Sequence, residues 1–116
     1  MRSRLTRAVS VSAILVVMVM AAPSASAATL VRGSSRRWHP ATATIARGGV
    51  IRWKAVDVRH TVTAYGGSWS FSRSLAAGAS TTRTFNRAGT YRYYCTIHGS
   101  VAGGTCSGMC GKVVVG

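Results

Sequence analysis

Four residues of this sequence carry side chains that together favour one kind of chemistry. Cys95, His98 and Met109 lie in the C-terminal segment YRYYCTIHGSVAGGTCSGMCGKVVV (Tyr91–Val115), and His60 begins the run HTVT upstream. A thiolate, two neutral imidazoles and a weak thioether form the ligand set of a blue-copper electron-transfer site. The sequence therefore predicts one copper ion, with three ligands on one loop and His60 supplied by a neighbouring strand.

Each of these side chains also has a purely structural interpretation. In the structural interpretation, Cys95 is half of a disulfide with either Cys106 or Cys110, since disulfides form readily in exported proteins. His98 in a glycine-rich segment is compatible with a solvated side chain, and a lone histidine such as His60 is usually packed or exposed. The copper interpretation depends on the combination, C-x2-H followed by G-M-x-G before a β-run.

Residue counts narrow the choice of ligands. Met109 is the one methionine beyond residue 20, so it is the one available thioether in the body of the chain. Three cysteines are an odd number, and if Cys95 binds copper, Cys106 and Cys110 remain as an even pair. His39 lies in a polar N-terminal segment and is predicted not to be a ligand.

The first 27 residues have the pattern of a secretory signal peptide. Three arginines precede residue 8, and the apolar run Ala8–Ala22 is too short for a membrane span. The small residues Ala25–Ala27 then supply a cleavage site. We predict cleavage after Ala27, which leaves one small domain, residues 28–116, in an extracytoplasmic space; an uncleaved N-terminal anchor is the alternative.

The charge of the chain is strongly positive. Asp57 is the single acidic residue against 15 Lys and Arg, and the net charge is +14. Without the predicted signal it stays at about +11, a field that attracts acidic proteins and an anionic cell envelope. Nucleic acid is disfavoured, because the basic residues are spread along the chain without a helix, a repeat or a known reader motif.

Short alternating runs separated by glycine turns predict an all-β fold, an antiparallel β-sandwich. The predicted strands are Ala41–Ala46, Val50–Val56, His60–Tyr65, Thr81–Phe85, Thr90–Cys95 and Lys112–Val115, with a possible edge strand at Thr29–Arg32. In the second run, Ile51, Trp53 and Ala55 share the face predicted to be buried. The predicted core aromatics are Trp53, Phe71, Phe85 and one or two of Tyr91, Tyr93 and Tyr94.

At this point the chain resembles small cupredoxins of the plastocyanin, pseudoazurin and amicyanin type. The similar segments are W-x3-D-x2-HTVT (Trp53, Asp57, His60), FSRSLAAG (Phe71–Gly78), TFNRAGTYRYYC (Thr84–Cys95), C-x2-H and GMCGKVVV (Gly108–Val115). The resemblance covers nearly all of the predicted domain. It implies a Greek-key β-sandwich and a single type 1 copper with His60, Cys95, His98 and Met109 as ligands.

The spacing before Met109 departs from the family. Residues Gly99–Gly108 put ten positions between His98 and Met109, more than relatives of this type have. We hypothesise that Cys106 and Cys110 form a disulfide that closes this insertion around Met109. The rival hypothesis is that a cysteine displaces Met109 and gives a site with two thiolates.

A second departure is Ile97, at a position where several relatives carry proline. Unlike proline, Ile97 has an N–H, which we expect to donate to the Cys95 sulfur alongside the Thr61 N–H. Hydrogen bonds to the sulfur withdraw charge from the thiolate and favour Cu(I), so both donors are expected to raise the reduction potential.

The resemblance also implies where electrons pass. In the family the second histidine has its edge at an exposed apolar patch, so His98 is the expected port. Tyr94, next to Cys95, matches the position of a second port proposed in relatives. The alternative interpretation, which the sequence supports at least as well, is an exposed or half-packed strand tyrosine without a role in electron transfer. The segment Gly99–Gly108 bears no charge, so it permits close, transient docking of an acidic redox partner.

The leading interpretation is a secreted, monomeric one-electron carrier that cycles between Cu(I) and Cu(II). Two alternatives stay open: an exported copper-binding or copper-handling protein without dedicated electron transfer, and a metal-free β-sandwich interaction module held by a disulfide. An enzyme is not expected, because a site whose positions are all filled by protein leaves none for substrate.

Overall fold

Nine β-strands form from the alternating runs, and no helix occurs within the described residues of the computed structural model, 10–17 and 27–116. The strands are β1 (Thr29–Ser34), β2 (Arg37–His39), β3 (Thr42–Ile45), β4 (Gly49–Ala55), β5 (His60–Tyr65), β6 (Ser72–Leu75), β7 (Ser80–Phe85), β8 (Gly89–Ala102) and β9 (Thr105–Val115). Most of the predicted signal peptide, residues 1–9 and 18–26, lies outside this description. In the part that is described, no helix has the length and apolar character of a membrane span.

The strands form two sheets that pack as a sandwich, which confirms the predicted fold class. One sheet has the order β2-β1-β4-β7 and the other β3-β9-β8-β5-β6. Five of the seven strand pairs are antiparallel, as predicted, while β1 runs parallel to β4 and β3 runs parallel to β9. The reason is that β3 crosses to the second sheet, so the chain returns in β4 along the direction of β1.

The core lies between the two sheets and is rich in aromatic rings. Ile51, Trp53 and Ala55 are fully buried, as the alternation of β4 predicted. Phe85 and Tyr93 are buried with them, while Phe71 and Tyr91 are partly buried against the core. Each large apolar side chain removed from water contributes roughly 1.5–3 kcal/mol, which gives this small domain a stable frame for its site.

The last two strands extend beyond their predicted ends. We expected a loop over Gly99–Gly108, but β8 and β9 pair again there and form a hairpin extension, residues 99–108. Gly103 and Gly104 adopt φ values of 57° and 77°, which a two-residue hairpin turn requires. The sequence concealed this pairing, because glycine and serine are weak strand formers and the run does not alternate.

A large β-bulge interrupts the pairing of β8 and β9 at the predicted copper ligands. Tyr94 pairs with Cys110 and Gly99 pairs with Gly108, so the four residues Cys95–His98 of β8 lie opposite Met109 alone. The extra residues bend β8 out of the regular ladder. Paired strands hold the bulge on both sides, so its backbone is fixed independently of any ligand.

Candidate metal centre

Three of the predicted ligands converge at the end of the second sheet. Cys95 and His98 occupy the bulge of β8, and His60 is the first residue of β5, which pairs with β8 through Thr63 and Tyr94. Their ligand atoms all lie within 4.8 Å of one another, and among the described residues this is the group of histidine, cysteine and acidic side chains placed to hold a metal ion.

The distances between the ligand atoms fit a trigonal ion. His60 Nδ1 lies 3.2 Å from His98 Nδ1, and Cys95 Sγ lies 3.8 Å from the first nitrogen and 3.6 Å from the second. A point in their plane equidistant from all three lies about 2.1 Å from each, within the range of roughly 2.0–2.3 Å for metal–nitrogen and metal–sulfur bonds. Both imidazoles present the same nitrogen, Nδ1, to this point, which is the arrangement that a shared cation satisfies.

The site is dry except on one side. His60, Cys95 and Met109 have no accessible surface, while His98 is partly exposed. A soft donor set shielded from water suits Cu(I) as well as Cu(II), because neither state requires an added water ligand. The exposed edge of His98 is the point at which the site meets solvent.

Asp57 holds the outer nitrogen of the His60 imidazole. His60 Nε2 lies 2.8 Å from Asp57 Oδ1, so the Nε2–H donates to the carboxylate and Nδ1 keeps its lone pair for the metal. Asp57 also accepts hydrogen bonds from the backbone N–H groups of Ser35 and Val58. The bond from His60, with help from Ser35, holds the pKa of Asp57 below its ordinary value. Sequence motifs included this aspartate, but they did not predict its contact.

The Thr61 backbone N–H donates to Cys95 Sγ at 3.3 Å, as the sequence led us to expect. Thr61 Oγ1 also accepts from the Thr96 N–H at 2.8 Å, which ties β5 to the bulge directly. Ile97 differs from the expectation. The residue is 51% exposed, and no hydrogen bond joins its N–H to the sulfur within the described part of the chain. Among the described residues, the backbone N–H that donates to the sulfur therefore comes from β5, and none comes from the bulge.

Met109 is fully buried beside His60, at a point where β1 passes close to both. A Cβ added to Gly33 would lie 3.1 Å from His60 Cδ2, 3.2 Å from Met109 Cε and 2.8 Å from the Trp38 ring. Glycine at this position therefore lets the strand approach the site. Neither Gly33 nor Trp38 was singled out from the sequence, because the segment around them is polar and gives no periodic signal.

Cys106 and Cys110 form a disulfide, with an S–S distance of 2.00 Å, and the bridge spans Met109. Cys95 is a free, buried thiol. Neither bridging sulfur is a thiolate, which favours Met109 over the rival arrangement with two thiolates. The odd cysteine count thus resolves as one candidate ligand and one bridge.

His39 and Tyr94 lie outside the cluster of ligand atoms formed by His60, Cys95 and His98. His39 is exposed and its Nε2 lies 3.3 Å from the Ser34 carbonyl oxygen, away from the cluster. Tyr94 is half-buried on the outer face of the sheet and packs edge-on against Tyr65, with ring centroids 5.7 Å apart. It is adjacent to Cys95 in the chain, so its place is compatible with a port and with simple packing.

Comparison with known proteins decides the family. The sequence profile described as "Copper binding proteins, plastocyanin/azurin family" matches residues 27–116. The chain belongs to this copper-binding family. With the His60–Cys95–His98 cluster and Met109 beside it, this cupredoxin fits one type 1 copper, and family and site together indicate a copper electron carrier.

Solved structures show the same fold at low identity. A reduced amicyanin variant matches at a TM-score of 0.65 and 23% identity, over 81% of this chain and 87% of the amicyanin. A purple cupredoxin from Nitrosopumilus maritimus matches at 0.59 and 19%, over 75% and 98%. A copper-containing nitrite reductase from Thermus scotoductus SA-01 matches at 0.63 and 21%, over 78% of this chain but 22% of the reductase. No curated protein sequence matches significantly.

Proposed function

We propose that this cupredoxin is a one-electron carrier whose copper is bound by His60, Cys95, His98 and Met109. The observation that supports this most is the triangle of two Nδ1 atoms and one Sγ, whose edges of 3.2, 3.6 and 3.8 Å surround a metal-sized point. Copper, when bound there, supplies a one-electron Cu(I)/Cu(II) couple.

The protein's part is to keep this geometry the same in both oxidation states. His60 comes from β5, and Cys95 and His98 come from a bulge whose two flanks are paired to β9. The Thr61 N–H holds the Cys95 sulfur, and burial of Cys95 and Met109 excludes water. Because little has to move when the charge changes, the cost of reorganisation is small and electron transfer is fast.

His98 is the proposed port. Its partly exposed edge lies in a groove of about 480 Å³ lined by Arg36, Ile97, His98, Gly99, Ser100, Ser107 and Gly108. Arg36 is the one charged residue in this lining, so the groove combines a neutral floor with one cation. Charge complementarity favours a transient, acidic redox partner, steered by the positive field of the whole chain. Tyr94 remains a second candidate port.

We further propose that residues 1–27 are a signal peptide, that residues 28–116 function as a monomer outside the cytoplasm, and that the basic surface adds affinity for an anionic envelope. The basic start, apolar run and small-residue site of the first 27 residues support export. Intact mass of the protein recovered from the culture medium or envelope checks this: a species beginning at Ala28 is expected, and full-length protein would contradict it.

Optical and EPR spectra of the copper-loaded domain test the proposed function. We expect an intense visible Cu(II)–thiolate band and a small parallel copper hyperfine splitting, both lost in Cys95→Ser. Absence of the band after loading would reject the type 1 site and favour a metal-free interaction module. A blue protein without a reversible potential or measurable self-exchange would instead favour copper storage or handling.

A further inference from the structure

Asp57 has an unusual position for the single acidic residue of so basic a chain. Fifteen Lys and Arg residues are present in the sequence, yet among the described residues none of them pairs with Asp57, and its side-chain partner is the neutral His60 imidazole. Asp57 precedes β5 by three residues and is partly exposed, with 39% of its side chain accessible. An aspartate with no role beyond solubility would be expected to face one of the many guanidinium groups.

The two carboxylate oxygens have separate partners. Oδ1 accepts from His60 Nε2–H at 2.8 Å and from the Val58 N–H at 2.9 Å, and Oδ2 accepts from the Ser35 N–H at 2.8 Å. Ser35 and Arg36 form the turn between β1 and β2, with φ values of 52° and 57°. Asp57 therefore joins this turn to the imidazole that lies deepest in the site.

This contact determines which His60 nitrogen faces the cluster. An imidazole that donates from Nε2 to a carboxylate has its lone pair on Nδ1, the atom 3.2 Å from His98 Nδ1 and 3.8 Å from Cys95 Sγ. The bond also restrains rotation of the ring, and a carboxylate makes the imidazole a stronger donor to a metal. An aspartate that only stabilised the loop would need no more than the bonds from the Ser35 and Val58 N–H groups. The additional bond from His60 links the carboxylate to the ligand cluster.

We propose that Asp57 is a positioning residue for the copper ligand His60: it fixes the ring's tautomer and orientation, and its negative charge favours Cu(II) over Cu(I). This inference rests on the proposed copper function. It assigns a role to the one carboxylate of the chain, and it implies that the potential is set below the value that so positive a protein would otherwise impose.

The tautomer is measured by nitrogen-15 NMR of the apo-protein and of the diamagnetic Cu(I) protein. We expect the proton on His60 Nε2 in both forms. Its signal should lie downfield and exchange slowly, and it should show nuclear Overhauser contacts to the backbone N–H protons of Ser35 and Val58, which donate to the same carboxylate. A proton on Nδ1 in the apo-protein would overturn the proposal. This readout needs no copper, so it remains valid even if the domain proves not to be an electron carrier.

Variants then separate positioning from overall charge. Asp57→Asn and Val58→Lys each make the net charge more positive by one on the same loop, but Val58→Lys keeps the carboxylate and the Val58 N–H. We expect Asp57→Asn to weaken Cu(II) binding by about 10–100-fold and to raise the reduction potential more than Val58→Lys does. Asp57→Ala should weaken binding further, because it also removes the acceptor that orients the ring.

Equal potentials in Asp57→Asn and Val58→Lys, with the wild-type EPR spectrum in both, would reduce Asp57 to a surface charge and reject the proposal. Asp57→Glu is the rescue variant, in which a carboxylate is restored and the spectrum is expected to move back toward wild type. Circular dichroism of each apo-variant shows whether it folds. If Asp57→Asn fails to fold, the wild-type tautomer decides the proposal.

Discussion

Cys106 and Cys110 are bonded to each other across Met109, so the thioether expected to be the weakest ligand lies within the short loop that this disulfide closes. The three strong donors are instead held by β5 and by the bulge of β8. The bridge therefore restrains the axial ligand, while the trigonal set does not depend on it. This division gives two separable predictions.

Replacing both bridging cysteines by serine, Cys106→Ser with Cys110→Ser, should lower the free energy of unfolding of the apo-protein by about 2 kcal/mol, the chain-entropy value for so short a loop. The visible band should persist, because His60, Cys95 and His98 are held elsewhere. Urea unfolding and absorption spectra measure the two effects. Loss of the band in a folded variant would show that the bridge shapes the whole site.

Met109→Leu should keep a blue protein and raise its reduction potential. Leucine fills a similar buried volume but offers no thioether, and the axial ligand tunes the potential of such sites. Cyclic voltammetry and EPR provide the measurement. An unchanged potential would show that Met109 is not a ligand and would reopen the question of a cysteine in its place.

Gly33→Ala should destabilise the domain by about 1–3 kcal/mol, the usual cost of an overpacked core. The new Cβ would lie 2.8 Å from the Trp38 ring and close to His60 and Met109, so the copper spectrum should change as well. Trp38→Leu supplies the matched control: in a double-mutant cycle it should offset part of the cost. Strict additivity of the two substitutions would contradict the proposed contact.

Tyr93 gives a prediction about alkaline pH. Burial raises the pKa of Tyr93 to about 12 from an ordinary 10.0. Between these values the unfolded state loses the proton that the folded state keeps, so the free energy of unfolding falls as pH rises. Tyr93→Phe should remove this contribution to the slope and cost little at neutral pH, because the buried hydroxyl, although near the Trp53 side chain, makes no hydrogen bond of good geometry within the described structure. An unaltered slope in urea titrations would contradict this account.

The parts of the fold with strict alternation could be predicted from the sequence, and β4 with its buried Ile51 and Trp53 is the clearest case. The ligand types could also be predicted, because few chemistries combine a thiolate, two imidazoles and a thioether at this spacing. The hairpin extension could not, since its pairing comes from register with β9 and not from propensity. The approach of Gly33 to His60 and Met109 and the bond between Ser35 and Asp57 were equally hidden, because they join segments distant in sequence. The bond from His60 to Asp57 spans three residues, but it depends on the conformation of the loop before β5, which the sequence pattern does not specify.

Electron transfer at the His98 edge should depend on where positive charge is removed. Arg36 lines the groove over His98, whereas Arg87 lies beyond the far end of β8, about 20 Å along the strand from the bulge. Arg36→Gln should therefore slow oxidation by anionic hexacyanoferrate(III) several-fold more than Arg87→Gln does. Oxidation by cationic tris(phenanthroline)cobalt(III) should instead become faster in Arg36→Gln, because the Arg36 guanidinium repels this oxidant in the wild-type protein. Added salt should reduce both differences as screening shortens the range of the field. Equal rates for the two variants would mean that the net charge, and not the groove, governs the encounter.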